Sequence, residues 1–195
     1  MVVFSAGGIR SGLLRVPLAG GSSAIVRGAM TFEDVVREHQ DAVYGAALRI
    51  LGDRDLAHDA ANQAFIKAYR SIASYDPARP IRPWLLRIAV NEAITIGRSR
   101  TRDRSRRAPD GAAAQVADRA ATPEGETLDR ESREAIRSAV AGLPELYRVV
   151  VVLRYFNELS IEEVATATGR SSSTVGVQLL RARQLLRKAM AEPGV

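Results

Sequence analysis

Cysteine is absent from the 195 residues, which removes disulfides and thiolate metal sites from the options. The two histidines, His39 and His58, stand apart and without ligand partners nearby, so they do not suggest a metal centre either. Nowhere does an apolar run reach the length that crosses a bilayer. The opening residues 1–29 also lack a signal peptide's unbroken apolar stretch, because Arg10 and Arg15 interrupt them. Carboxylates are scattered over helix starts and a polar linker rather than clustered, and no nucleophile stands beside a base. An enzyme such as a nuclease is therefore disfavoured, and no cofactor or small-molecule substrate is expected. Strand patterning is missing too. Residues 149–153 would suit a buried strand by composition, but they sit inside a helical pattern.

What the chain does have is positive charge and helical periodicity. The formal net charge is +6, which suits a polyanionic partner such as nucleic acid. The length allows one or two small domains. Residues 1–29, rich in Gly, Ala and Ser, read as an unstructured extension. Met30 directly precedes the first patterned helix and is an alternative start. Thr31 suits an N-cap, with Glu33 and Asp34 in the first turn. Phe32, Val35, Val36, His39, Val43, Ala47, Leu48 and Leu51 then follow at spacings of three and four. Gly52 ends that helix. Asp53 or Asp55 caps the next, whose apolar face includes Ala60, Ala64, Phe65, Ala68 and Tyr69. Two prolines enforce a loop at residues 74–80. A third helix starts near Pro83-Trp84 and runs into a basic end, where Arg98, Arg100, Arg102, Arg104, Arg106 and Arg107 are opposed by Asp103 alone.

Residues 108–125 have no periodicity and read as a flexible tether. A second periodic block opens near Glu126. Residues 143–188 read as a four-helix fragment ending in a helix-turn-helix. There, Ala165 and Gly169 allow two helices to cross steeply, and Ser171 and Val175 open the last helix. Arg170, Arg181, Arg183, Arg187 and Lys188 make that region basic, with no acid among them. The fold class is all-α: two small helical domains joined by a flexible linker, the C-terminal one a helix-turn-helix.

These motifs resemble the extracytoplasmic-function group of bacterial sigma factors, the minimal members of the sigma-70 family. In the first module the resemblance rests on Ala57, Asp59, Phe65, Ala68, Tyr69, Tyr75, Asp76, Trp84-Leu85, Arg87-Ile88-Ala89, Asn91 and Arg98. In the second it rests chiefly on Leu143-Pro144, Tyr147-Arg148, Leu153-Arg154-Tyr155-Phe156, Glu162-Glu163-Val164-Ala165, Gly169, Thr174-Val175 and Arg181-Ala182-Arg183. It implies an extension over 1–29, a region 2-like domain over 30–106, a linker over 107–126 and a region 4-like domain over 127–190. The implied partners are core RNA polymerase and promoter DNA, and such factors are commonly held by an anti-sigma protein. A cytoplasmic, non-enzymatic protein without membrane insertion is expected. A free-standing helix-turn-helix regulator is the competing reading, but it gives the first module no purpose.

The resemblance also implies roles by position. Asp55, Asp59, Asn62, Gln63 and Phe65 would dock on the polymerase. Tyr75, Asp76, Arg79, Trp84, Asn91, Arg98 and Arg100 would handle the minus-ten element, whose opening requires a base to leave the stack. Ser172, Ser173, Thr174, Val177, Gln178 and Arg181 would face outward to read the minus-thirty-five element in the major groove. The chain departs from the family pattern at His58, where an acid is usual, and at Asn62-Gln63, where Gln-Glu is usual. Thr95 replaces a common Asp. Gly176-Val177-Gln178 replaces Lys-Ser-Arg, which removes two cations and leaves Gln178 as a candidate for bidentate contact with adenine.

Overall fold

The computed structural model describes residues 25–27, 30–107 and 127–191, with side chains over 31–103 and 132–191. The expected linker (apart from Arg107), and the expected extension except residues 25–27, lie outside the described residues. Within that extension, strand β1 (Ile25–Arg27) pairs antiparallel with β2 (Met30–Thr31), Ile25 opposite Thr31. No strand was expected there. The remainder is helical.

Helix α1 (Phe32–Leu51) begins at a capping box: the Thr31 hydroxyl accepts from the Asp34 amide, and the Asp34 carboxylate accepts from the Thr31 amide. It stops at Gly52, whose φ of 67° is left-handed and whose N–H reaches the Leu48 carbonyl. Asp53, rather than Asp55, caps α2 (Arg54–Ser71) by accepting from the Leu56 amide. A 3-10 turn (Ile72–Ser74) leads to α3 (Ile81–Arg107). These helices cross closely because alanines meet at the crossings. Ala46, Ala47, Ala57, Ala60, Ala61, Ala64 and Ala68 are all buried. Around them pack Phe32, Val35, Phe65 and Leu85, with the Tyr69 ring edge-on to Phe32 at 5.2 Å.

The second module comprises α4 (Thr127–Ala141), α5 (Glu145–Val151), α6 (Ile161–Thr168) and α7 (Ser172–Ala191). Residues 143–188 thus hold three helices; the fourth expected there is α4, which ends upstream. The apolar run 149–153 is helical, and a wider π-helical turn (Val152–Phe156) extends α5. It closes on Asn157, which is buried and donates from Nδ2 to the Val152 carbonyl. Ser160 and Glu163 form a second capping box at the start of α6, and left-handed Gly169 ends it.

The two modules share one apolar core. Ala46, Ile50, Leu86, Val90 and Ala93 of the first are continuous with Val140, Leu143, Val150 and Leu153 of the second. Polar groups close the seam. The Arg148 guanidinium donates at 2.7 Å to the Ile50 carbonyl and at 2.8 Å to the Leu143 carbonyl, so one side chain satisfies backbone carbonyls that follow helical turns in both modules. Arg49 lies 4.5 Å above the Phe156 ring, a cation–π contact.

Candidate nucleic-acid and polymerase interfaces

Helix α2 presents Asp55, Asp59 and Gln63 to solvent on the strip expected to meet polymerase. Asn62 is half-buried, and its Oδ1 is buried without a hydrogen-bond partner. Phe65 does not belong to that surface. It is fully buried against the first module's core, so it can shape the strip but cannot touch a partner. The reason is helical spacing: Phe65 falls on the stripe of Ala61, Ala64 and Ala68. Where the family pattern has an acid, the His58 ring packs on Tyr44 with centroids 4.4 Å apart, an aromatic contact in place of a charge.

The loop before α3 is built by two of the residues expected to meet DNA. Tyr75 is buried, packs on Trp84 at 5.1 Å and donates its hydroxyl to the Arg79 carbonyl. Asp76 accepts from the Ala78 amide at 3.0 Å and pairs with Arg79 at 3.4 Å. Tyr75 and Asp76 therefore hold the loop's shape, while Arg79 stays exposed and Trp84 half-exposed at its edge. Asn91 is exposed about two turns further along α3. Beneath it Glu92 is buried and takes a 2.6 Å bond from the Lys67 ammonium, an ion pair that fixes α3 to α2.

Further along, the first two arginines of the basic end of α3 have internal partners. Arg98 donates to Glu145 of α5 at 3.0 Å, and Arg100 to Asp53 at 2.6 Å. Asp53 thus caps α2 with one oxygen and binds Arg100 with the other. The bond from the Leu56 amide, aided by Arg100, holds its carboxyl below the usual carboxylate range. A cleft of about 570 Å³ lies between Lys67, Arg70, Arg87 and Asn91 on one side and residues 166–169 on the other.

On α7, Ser171 caps the helix by accepting from the Thr174 amide at 3.2 Å. Ser172, Ser173, Thr174, Val177 and Arg181 are exposed, and with Leu146 and Tyr147 of α5 most of them line a shallow groove of about 320 Å³. Gln178 differs from its expected outward position. It is only 7 % exposed, and its Oε1 accepts from Arg170 Nη1 at 3.0 Å. Spacing explains this as well: Gln178 lies three residues after buried Val175 and four before buried Ala182. Burial lowers the Arg170 pKa, although the residue keeps its charge.

Sequence reasoning missed three supporting pairs. Lys67 and Glu92 meet across 25 positions and Arg148 and Ile50 across 98, and no local pattern signals such pairs. The Arg98–Glu145 pair is hidden in the same way. Among the described residues no group of three potential ligands is placed to hold a metal, and no helix is long and apolar enough to cross a membrane.

Comparison with known proteins follows this division. The family model for Sigma-70 region 2 matches residues 35–106, and that for Sigma-70, region 4 matches 133–186. ECF RNA polymerase sigma factor SigW of Bacillus subtilis is 33 % identical over 169 residues, which span 83 % of this chain and 89 % of the relative. RNA polymerase sigma-H factor of Pseudomonas aeruginosa is 32 % identical over 169 residues, 82 % of this chain and 86 % of that one. Among solved structures, the sigma factor RpoE in complex with the anti-sigma factor NepR from Bartonella quintana shares the fold. Its TM-score is 0.64 at 19 % identity, over 84 % of this chain and 98 % of that one. A two-module helical chain with a basic third helix, a capped helix-turn-helix and relatives at this level belongs to the extracytoplasmic-function group of the sigma-70 family, the non-enzymatic subunits that direct promoter-specific transcription initiation by RNA polymerase.

Proposed function

We propose that this sigma factor divides promoter initiation among three surfaces. The α2 strip of Asp55, Asp59, Asn62 and Gln63 docks on core polymerase. The edge formed by Arg79, Trp84, Asn91, Arg98 and Arg100 handles minus-ten DNA, with Tyr75 and Asp76 shaping the loop. Ser172, Ser173, Thr174, Val177 and Arg181 on α7 face the minus-thirty-five element. The supporting observation is the sorting of side chains: these groups are exposed, apart from half-buried Asn62 and Trp84, while Phe65, Tyr75 and Gln178 are drawn inside. The functional units are then residues 30–106 and 127–190, tethered by 107–126. An anti-sigma protein is a further partner, by analogy with RpoE and NepR. The workplace is the cytoplasm, beside the polymerase.

Transcription in vitro with core polymerase tests this division. Asn91→Ala should slow promoter opening while leaving binding to a minus-thirty-five duplex unchanged. Arg181→Ala should weaken that binding without slowing the opening step once the complex has formed. If both variants impair the same step equally, the assignment to separate surfaces is wrong.

A further inference from the structure

The outward face of α7 is unusual for a helix that reads bases. Between Ser172 and Leu180 it carries no charged side chain. Gln178, the one amide there able to make a bidentate base contact, is drawn inward onto Arg170. What remains exposed is hydroxyl and aliphatic: Ser173 and Thr174, then Val177 at 50 % and Leu180 at 51 %. Hydroxyls donate and accept, so they discriminate weakly among base pairs. Aliphatic groups in a major groove meet one distinctive partner, the 5-methyl group of thymine.

Gly176 points the same way. Glycine inside a helix costs roughly 0.5–1 kcal/mol against alanine. Nothing within the protein calls for it here: a Cβ built at Gly176 would have no neighbour within 4 Å. A helix that omits a side chain with no internal reason, next to an exposed valine, is thinned on the side where another molecule can come close. The cations Arg181, Arg183, Arg187 and Lys188 further along the helix, with no acid among them, make DNA the matching occupant.

Resting on the assignment of α7 to minus-thirty-five DNA, we propose that Val177 reads a thymine through its 5-methyl group, with Gly176 letting the DNA approach the helix closely. Specificity at that step then comes from methyl contact rather than from amide or guanidinium hydrogen bonds.

The test uses the full chain bound to core polymerase. Duplexes randomised across the minus-thirty-five region are selected for binding, and each thymine of the selected site is then replaced singly by deoxyuridine, which lacks only the methyl. One replacement should weaken binding about three- to tenfold, the scale of one lost apolar contact. Val177→Ala should weaken the thymine site by a similar factor and abolish the difference between thymine and deoxyuridine. Val177→Ile should keep it. Gly176→Ala should raise thermal stability yet weaken binding. Tolerance of deoxyuridine at every position, or its full penalty persisting in Val177→Ala, overturns the proposal and leaves the exposed aliphatic pair to a protein partner. If no minus-thirty-five sequence is enriched at all, the assignment of α7 itself fails and this inference falls with it.

Discussion

The two helices proposed to face DNA solve different problems. The basic end of α3 is dense in arginine, yet Arg98 and Arg100 are held by Glu145 and Asp53 of the same chain. The opening turns of α7 carry no charge outward, and Arg170, just before them, is turned inward. One surface attracts phosphate strongly but must first give up internal partners. The other offers shape and small polar groups and leaves attraction to its distal half. The proposed division thus places charge density and base discrimination on separate modules, and substitutions should separate them.

The largest effect should come from undermining the first surface from below. Phe65→Ala removes a fully buried ring from the first module's core and should cost about 3–5 kcal/mol, seen as a large drop in unfolding midpoint. A loss under 1 kcal/mol would mean that the ring is a contact residue after all. Lys67→Ala leaves Glu92 buried without its partner and should cost about 1–3 kcal/mol. Glu92→Gln in the same background should recover part of that loss.

Next comes the cap shared with Arg100. Asp53→Ala should lower stability by about 1 kcal/mol through the lost N-cap. Because the Asp53 carboxyl is held below its ordinary value, its contribution is complete above the usual carboxylate range and disappears as acid protonates it in the folded state. His39 adds a milder acid sensitivity in the same module. Burial lowers its pKa from 6.5, so its neutral form favours the folded state and its contribution fades as pH falls below that value. Unfolding midpoints measured from pH 8 down to pH 5 should fall, and His39→Gln should flatten the trend.

The smallest effect sharpens the contrast most directly. Removing Arg98 should reduce the salt dependence of DNA binding by about 0.7–0.9 log units per lost phosphate contact. Val177→Ala, on the other module, should leave that slope unchanged. Equal slopes for the two variants would erase the distinction between the helices.

Much of this architecture is legible in local sequence, because its determinants are local. Thr31, Gly52, Ser160 with Glu163, and Gly169 act within four residues of themselves, so the helix boundaries follow from them directly. The inward turn of Gln178 is also encoded, in its spacing from Val175 and Ala182, but the resemblance places it outward and only the Arg170 partner settles it. Phe65 is similar: its place on an alanine stripe outweighs its resemblance to a docking residue. The pairs Lys67–Glu92, Arg98–Glu145 and Arg148–Ile50 have no such trace, since they depend on how distant helices come together. The β1–β2 ladder was hidden too, its residues too few to show alternation.

The single guanidinium of Arg148, bonded to carbonyls on both sides of the seam, bears on how the chain can be cut. Severed after α3, the first piece would leave the Ile50 carbonyl without that donor and the flank around Ala46 and Val90 wet. The second would carry the matching raw face around Leu143 and Val150. Each fragment is then sticky alone and complementary to the other. Mixed in solution, they should reassemble without a peptide bond between them.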